Sequence, residues 1–272
     1  MVRWPDARPC NTEDIDVRRP SSARMFDFFM GGSANFEIDR EAGQEVVEAM
    51  PEVVQSIHAN RGFLARAVRF LSGQGIEQFL DLGSRVPTVG SAHEIAHSLD
   101  PAARVIYVDR EPVAVAHSRQ VLDDVKQAEI VEADFRDVRS VLSGAAATGL
   151  IDFARPLGLL MISALNFVED DELAADVVRR YAEALVPGSY LVLSHSTAAG
   201  FPQETAERVA EVYRNVNPPS FWRSPDEILA LLRGTTLVPP GLVAPSHWRP
   251  DREPEVDPNR VAFRAGVAEI GR

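Results

Sequence analysis

The chain has 272 residues, of which 45% are hydrophobic and 25% charged, and its formal net charge is −12. This composition is typical of a globular protein with a substantial core, and the negative charge argues against nucleic acid as a partner, because phosphates would be repelled. The only cysteine, Cys10, excludes an internal disulfide and a cysteine metal cluster. The longest apolar run, around residues 157–168, is shorter than the roughly 20 residues that cross a bilayer. We therefore expect a cytoplasmic protein without a membrane span.

The first quarter of the sequence is predicted to be mostly helical. Residues 1–20 are rich in Pro, Arg and Asp and contain few apolar residues, which predicts a flexible arm. A serine pair can cap the first helix, and a glycine pair, Gly31 and Gly32, ends it. Residues 21–75 are predicted to form a helical cap. The predicted helices cover residues 23–30, residues 37–50 and a segment that begins at Pro51.

An arginine lies on the apolar face of the third predicted helix. That face consists of residues at three- and four-residue spacing, namely Val54, Ile57, Leu64, Val68 and Leu71. Arg61 falls on the same face, and a buried guanidinium needs an anion, because an unpaired buried charge is very costly. The anion is either a structural Asp or Glu or a ligand carboxylate; alternatively, the side chain reaches out to solvent.

From residue 76 to the end, the sequence predicts one α/β domain. Apolar runs alternate with amphipathic helices, which is typical of a parallel sheet with helices on both faces. Two β-like segments near the end bring the sheet to seven strands, mostly parallel. The predicted strands cover residues 77–82, 104–109, 130–134, 157–163, 189–194, 237–244 and 261–270. The predicted helices cover residues 91–99, 112–122, a segment ending near 142, 170–185, 204–215 and 224–234.

Three of the predicted strands carry an aspartate at or next to their carboxyl end. Asp81, Asp109 and Asp134 would meet at one edge of the sheet, where ligands bind in such folds. An acid after the second strand can accept both hydroxyls of a ribose. Asp134 is followed by Phe135, so a carboxylate and a ring are available for an adenine. For any single aspartate, capping of the next helix is the simpler interpretation, but three together favour a nucleoside site.

These loops resemble those of a known class of enzymes. The stretches LDLGSRVPT, YVDRE, EADFRD and LLMISALNFVED are similar to the signature loops of class I S-adenosylmethionine-dependent methyltransferases. The stretches PSSARMFDFFMGGSANFEIDRE, HANRGFLARAV, VPGSYLVLSHST and PPGLVAPSHWRPD resemble one bacterial subfamily whose substrate is generally unassigned. The resemblance spans nearly all of Pro20 to Arg272. It implies a Rossmann-like fold, S-adenosylmethionine as cofactor and a small-molecule methyl acceptor.

The resemblance also implies roles for individual residues. A lid over the pocket would be formed by Gly31, Gly32, Asn35 and Phe36. His195 and Asn166 are the candidates for a catalytic group, although His195 is at least as compatible with a structural hydrogen-bonding role. No metal ligands are implied. The implied cofactor-binding residues are Arg61, Asp81, Gly83, Ser84, Arg85, Asp109, Arg110, Asp134, Phe135 and Ser163.

Two positions depart from the pattern of the related sequences. Arg85 stands where the first signature loop usually has a second glycine, and Asn166 stands where related sequences often have histidine. These differences leave an alternative open, namely a catalytically impaired relative that binds a ligand or a partner. The sequence predicts no oligomeric state.

A different motif suggests a zinc hydrolase. His93-Glu94-Ile95-Ala96-His97 matches the helical HExxH motif, in which two histidines bind zinc and the glutamate activates water. The predicted helix ends almost at once at Pro101, and no third ligand follows at the expected spacing. This motif is therefore a distant alternative. A nicotinamide enzyme is more distant still, because the first loop lacks the GxGxxG pattern.

Overall fold

A seven-stranded sheet forms the centre of the fold, which we describe from a computed structural model over residues 17–84, 90–254 and 257–271. Its strands are β1 (Gln78–Leu82), β2 (Arg104–Asp109), β3 (Ala128–Glu132), β4 (Gly158–Ile162), β5 (Tyr190–Ser196), β6 (Thr236–Leu237) and β7 (Phe263–Glu269). The strand order is β3-β2-β1-β4-β5-β7-β6, and β1 to β5 run parallel. β7 is antiparallel to both β5 and β6. The predicted α/β fold with a mostly parallel sheet is confirmed.

Helices cover both faces of the sheet. They are α1 (Ser22–Phe29), α2 (Glu37–Ala49), α3 (Val53–Gly73), α4 (Ala92–Leu99), α5 (Pro112–Val121), α6 (Val138–Ala147), α7 (Asp171–Ala184), α8 (Gln203–Arg214) and α9 (Pro225–Leu231). Because neighbouring residues of a strand point to opposite faces, Leu80 and Leu82 of β1 pack with α6, α7 and α9, whereas Phe79 packs with α3, α4 and α5.

The two ends of α3 contribute to different cores. Leu64, Val68 and Leu71 pack on the sheet, as their spacing predicts. Ile57 joins a separate apolar cluster in which α1 and α2 pack against Val209 of α8. The helical cap therefore rests partly on a helix from the far end of the sequence. The boundary between residues 75 and 76 stays a prediction.

Two predicted strands differ from the observed ones in ways that have physical causes. The predicted strand 237–244 is reduced to β6, because Pro239 and Pro240 lack the N–H groups that would continue the ladder. β3 ends at Glu132, so Asp134 lies in the loop that follows the strand rather than at its end. None of the helices in the described part of the chain is long and apolar enough to cross a membrane.

Candidate active site

A cavity lies at the carboxyl ends of β1, β2 and β3, beside the point where the strand order reverses between β1 and β4. Ligands bind at such switch points in open α/β sheets. The cavity has a volume of about 430 Å³, which is within the range of small-ligand sites. Its floor is formed by residues at or after the three strand ends, namely Gly83, Val108, Asp109, Ala133 and Phe135.

The roof of the cavity consists of residues 19–24 and Asn217. The backbone N–H of Asn217 donates to Pro20 O at 2.9 Å. Arg24 Nε donates to Asp39 Oδ2 at 2.6 Å, and both side chains are buried. Because Asp39 belongs to α2, the cap holds the roof through a buried ion pair. The last residues of the predicted flexible arm thus lie in this roof.

Gly83 allows the backbone to turn tightly at the floor of the cavity. Its φ is +66°, in the region that favours glycine. Its N–H donates to Val108 O at 2.8 Å, which ties the loop after β1 to β2. A Cβ at this position would lie 3.3 Å from Ala164 Cβ, tighter than an ordinary contact. The left-handed backbone and the closeness of Ala164 therefore both favour glycine at this position.

We expect Gly83→Ala to weaken binding of S-adenosylhomocysteine about tenfold, because the new methyl group must displace the loop or Ala164. The left-handed backbone should cost a further 1–2 kcal/mol of stability, roughly. Gly149→Ala is the matched control, since Gly149 has φ +72° and nothing within 4 Å of the added Cβ. Calorimetry and urea unfolding should show a similar loss of stability in both variants but weaker binding only in Gly83→Ala. Equal affinity in both variants would contradict this role of Gly83.

Asp109 lies at the end of β2 and lines the cavity. Its Oδ1 accepts a hydrogen bond from the Glu111 N–H at 2.9 Å, which orients the carboxylate at the turn into α5. The carboxylate thus both closes a turn and stands beside the cavity. Its predicted role as the ligand of ribose hydroxyls is compatible with this position.

Asp134 has two arginine partners rather than an open side chain. Arg136 Nε donates to its Oδ1 at 2.9 Å, and Arg110 Nη1 donates to its Oδ2 at 3.0 Å. Partial burial alone would raise the pKa of Asp134, but the hydrogen bonds and charge of Arg136 lower it overall. Phe135, Arg110 and Arg136 line the cavity. The predicted contact of Asp134 with an adenine amino group stays a prediction, and Phe135 is the better placed of the two.

Arg61 and Asp81 are close enough to interact electrostatically between α3 and β1. Burial lowers the pKa of Arg61, and the negative charge of Asp81 opposes that shift. Asp81 thus provides a structural anion for this inward arginine, and the contact of Arg61 with a ligand carboxylate stays a prediction. Ser84 donates its N–H to Val108 O at 3.2 Å, next to Gly83. Arg85, the main departure in this loop, lies outside the described residues.

The predicted lid residues form a turn organised around Asp27. Asp27 Oδ2 accepts hydrogen bonds from Ala34 N–H at 2.7 Å and from Asn35 Nδ2 at 2.8 Å. A side chain at Gly32 would overlap this carboxylate. Gly31 has φ +74°, and Phe36 precedes α2 with its ring partly exposed. None of these predicted lid residues is among the described residues that line the cavity, so the lid stays a prediction.

A second, smaller cavity, which we call the inner compartment, adjoins the first at Ser22 and Phe167. Its volume is about 50 Å³, and its lining contains both Ser163 and Asn166. Asn166 Oδ1 accepts from the Ser196 N–H at 3.0 Å, which fixes the amide. The other lining residues are Phe26, Phe29, Ile57, Tyr213, Ser220 and Phe263.

His195 is fully buried and both of its ring nitrogens have partners. Nδ1 lies 2.8 Å from Ser196 O, which can only accept, so Nδ1 carries the proton. Nε2 lies 2.8 Å from Arg223 Nη1, which can only donate, so Nε2 carries the lone pair. His195 does not line either cavity among the described residues. The geometry therefore supports the structural role of His195 that the sequence left open.

Arg223 was not predicted as an important residue. It is buried and donates to Val168 O at 2.8 Å, Leu165 O at 3.1 Å and Asp171 Oδ1 at 2.7 Å, as well as to His195. It thereby fixes the loop after β4 that carries Asn166. The sequence predicts the helix over residues 224–234 that directly follows it, but no sequence pattern marks the arginine itself.

Burial, with the charge of Arg223, lowers the pKa of His195 to about 4, from an ordinary value near 6.5. The unfolded chain therefore takes up a proton at a pH where the folded chain does not. This contribution to stability is complete above pH 6.5 and is lost as the pH falls towards 4. We expect the loss between pH 7.5 and pH 5 to be about 2 kcal/mol. Urea unfolding of wild type and His195→Gln should show a smaller pH dependence in the variant; identical dependence would contradict the assignment.

The side chains of the HExxH match have structural partners. His93 Nδ1 lies 2.7 Å from Tyr107 Oη, and His97 Nε2 lies 2.8 Å from Ala103 O. Glu94 Oε2 accepts the Gly90 N–H at 2.6 Å and caps its own helix. Within the described ranges, no group of three or more His, Cys, Asp or Glu residues is arranged to hold a metal ion. This geometry gives no support to a zinc site.

The first cavity fits the nucleoside half of the predicted cofactor. It combines a carboxylate at the end of β2, an aromatic ring after β3 and a glycine, Gly83, at which an added Cβ would lie too close to Ala164. A ribose and an adenine require these three features: hydrogen-bond acceptors, a flat apolar face and room beside the backbone. The residues present therefore match the group that the sequence implies.

Comparison with known proteins identifies the family. A sequence model described as S-adenosyl methyltransferase matches residues 9–271. The structure is similar to that of a DUF574 family protein from Streptomyces avermitilis, with 36% identity and a TM-score of 0.88 over 93% of this chain and 98% of that one. It is also similar to a protein of Thermobifida fusca whose structure was solved as that of a candidate methyltransferase, with 35% identity and a TM-score of 0.88 over 94% and 97% of the two chains. The search of curated proteins gave no match. The chain belongs to the S-adenosyl methyltransferase family, as its loops predict.

Proposed function

We propose that this S-adenosylmethionine-dependent methyltransferase acts on a small molecule. The observation that carries the proposal is the pair of adjoining cavities, of about 430 and 50 Å³, under a roof that Asp39 and Asn217 hold in place. A pocket of this size and closure suits a small ligand better than the surface of a macromolecule. The net charge of −12 also disfavours nucleic acid as the acceptor. The single cysteine favours a cytoplasmic location as part of the same proposal.

In this proposal, the cofactor is held by Gly83, Asp109 and Phe135 of the first cavity and by two residues outside its described lining, Ser84 and Arg61. Asp109 accepts the ribose hydroxyls, Phe135 packs against the adenine, and the loop at Gly83 and Ser84 admits the amino-acid part. Arg61 is the candidate partner for the cofactor carboxylate. When bound, the cofactor supplies a methyl group activated by a sulfonium. The chain orients the reactants and excludes water, which is sufficient for an in-line displacement.

Calorimetry with S-adenosylmethionine and S-adenosylhomocysteine tests the proposed site. We expect both ligands to bind, and we expect binding to protect the roof, residues 19–24, from hydrogen exchange. The absence of binding at millimolar ligand would contradict the assignment of the cavity. Glu45→Ala, on α2 and outside both cavities, serves as a control for general damage to the cap.

A second candidate function rests on the replacement of the loop glycine by Arg85. If this arginine prevents productive binding, the protein is a ligand-binding relative without turnover. In that case, Arg85→Gly should strengthen the binding of S-adenosylmethionine. Unchanged affinity in Arg85→Gly would count against the second candidate and favour an active enzyme.

A further inference from the structure

We infer that the group methylated by this protein is a small, uncharged amine nitrogen that enters the inner compartment. The inference rests on the proposed function, because it concerns the acceptor of the same reaction. The compartment, with Ser163 and Asn166 in its wall, adjoins the cofactor cavity at Ser22 and Phe167. A group that occupies it would therefore lie next to the ligand of the larger cavity.

The size of the compartment restricts what can enter. A volume of about 50 Å³ is small beside the 430 Å³ of the first cavity, which favours a small end group such as an aminomethyl group. The rings of Phe26, Phe29 and Phe263 surround this space, so the carbon atoms next to the reacting group would contact apolar walls. The rest of the acceptor must remain outside the compartment.

The charge of the compartment restricts the chemistry. No Asp, Glu, Lys, Arg or His is among the described residues that line it. An anionic nucleophile, such as a carboxylate or phenolate, would lose its hydration without gaining a cationic side chain from the described wall of the compartment. A hydroxyl would need a base, and the nearby imidazole of His195 has its lone pair bound to Arg223. A neutral amine meets neither difficulty.

Methylation of a neutral amine can proceed without a charged side chain in the wall of the compartment. The nitrogen lone pair forms the new N–C bond, while the C–S bond breaks and its electron pair passes to sulfur. The positive charge moves from sulfur to nitrogen, so the total charge of the two adjoining cavities is unchanged and no pair of opposite charges is formed. The acceptor ammonium loses one proton to water before it enters, so no base is needed inside the compartment; the methylated ammonium releases a further proton to water after the transfer.

Ser163 provides a hydrogen-bond acceptor that would orient such an amine. Asn60 Nδ2 donates to Ser163 Oγ at 2.9 Å, and Asn60 itself is only 2% exposed. Ser163 Oγ also lies 3.5 Å from Ser194 Oγ, and where Ser163 donates to Ser194, one of its two lone pairs can accept an N–H of the acceptor. Ser163 has φ +58°, a strained conformation for a residue other than glycine. Its N–H donates to Ser194 O at 3.0 Å, which holds this conformation.

A panel of acceptors with matched carbon skeletons tests the inference. We would offer benzylamine, benzyl alcohol, phenylmethanethiol and benzoate, and the corresponding propyl series, with S-adenosylmethionine labelled in its methyl group. We expect transfer to the amines, at least about tenfold faster than to the other members. The kcat/KM should rise with pH through the pKa of each amine in solution. Preferred transfer to an alcohol, thiol or carboxylate would overturn the inference.

Binding of S-adenosylhomocysteine distinguishes a failure of the proposed function from a failure of the inference about the acceptor. Absent binding of S-adenosylhomocysteine would contradict the proposed function. Intact binding without transfer to any amine would contradict only the inference about the acceptor.

A variant that fills the compartment tests where the acceptor binds. Ser220 lines the compartment but not the cofactor cavity, so Ser220→Phe should leave the affinity for S-adenosylhomocysteine unchanged within about twofold. Transfer to the amine should fall at least about tenfold, because the added ring occupies the site. Ser98→Phe, on the exposed surface of α4, is the control for a new aromatic side chain. Full transfer by Ser220→Phe would show that the acceptor binds elsewhere.

Discussion

Arg223→Met is expected to lower the free energy of unfolding by about 3–5 kcal/mol, because several buried acceptors lose their donor. The variant removes the donors that satisfy Leu165 O, Val168 O and His195 Nε2. Each buried acceptor left without a partner costs roughly 1–3 kcal/mol. For a chain of this length, the melting temperature should fall by about 10 °C. Urea unfolding and calorimetry would measure both quantities.

Arg233→Met is the matched control for this change. Arg233 follows α9 at an exposed position, so its replacement should alter stability by less than about 0.5 kcal/mol. Arg223→Met should also impair methyl transfer more than the control, because the loop that carries Asn166 loses its anchor. A loss of stability below about 1 kcal/mol in Arg223→Met would show that the buried hydrogen bonds contribute little.

Asp109→Ala is expected to weaken the binding of S-adenosylmethionine and S-adenosylhomocysteine about 100-fold. Two hydrogen bonds from ribose hydroxyls to a carboxylate contribute roughly 1.5–3 kcal/mol each, and every 1.4 kcal/mol corresponds to about a factor of ten in affinity. Asp109→Asn retains an oxygen for the Glu111 N–H but loses the charge. Its affinity should therefore lie between those of wild type and Asp109→Ala.

The 2′-deoxyribose analogue of S-adenosylhomocysteine separates the ribose contact from damage to the turn. Wild type should bind this analogue more weakly than the parent ligand, whereas Asp109→Ala should bind the two with nearly equal affinity. Glu132→Ala, an exposed acid at the end of β3, is the control for a general loss of negative charge. If Asp109→Ala still distinguished the analogue from the parent ligand as strongly as wild type, the assignment of Asp109 to the ribose would fail.

The fold could be predicted because runs of apolar residues and the spacing between apolar residues can be read from short stretches of sequence. The run that became β4 is apolar throughout, as expected for a strand covered on both faces. The α3 stripe of Leu64, Val68 and Leu71 packs on the sheet where its spacing required. The predicted strand 237–244 is too long, because Pro239 and Pro240 interrupt its apolar residues and end β6 at Leu237.

The candidate site was only partly predictable from the sequence. Gly83 and Asp109 could be placed together because parallel strands end at the same edge of a sheet. The roof at residues 19–24 could not, since it depends on a buried pair with Asp39 and on Asn217, almost 200 residues along the chain. The link between Asn60 and Ser163 likewise joins residues separated by 103 positions. Such contacts leave no periodic pattern in a single sequence.

The most direct test of the account is a crystal structure of the wild-type protein with S-adenosylhomocysteine bound. The account predicts that the ribose hydroxyls lie within about 2.6–3.2 Å of the Asp109 carboxylate. It also predicts that the adenine lies against Phe135 and that the sulfur points towards the inner compartment at Ser163. A ligand bound outside this cavity, or one whose ribose makes no contact with Asp109, would contradict the account.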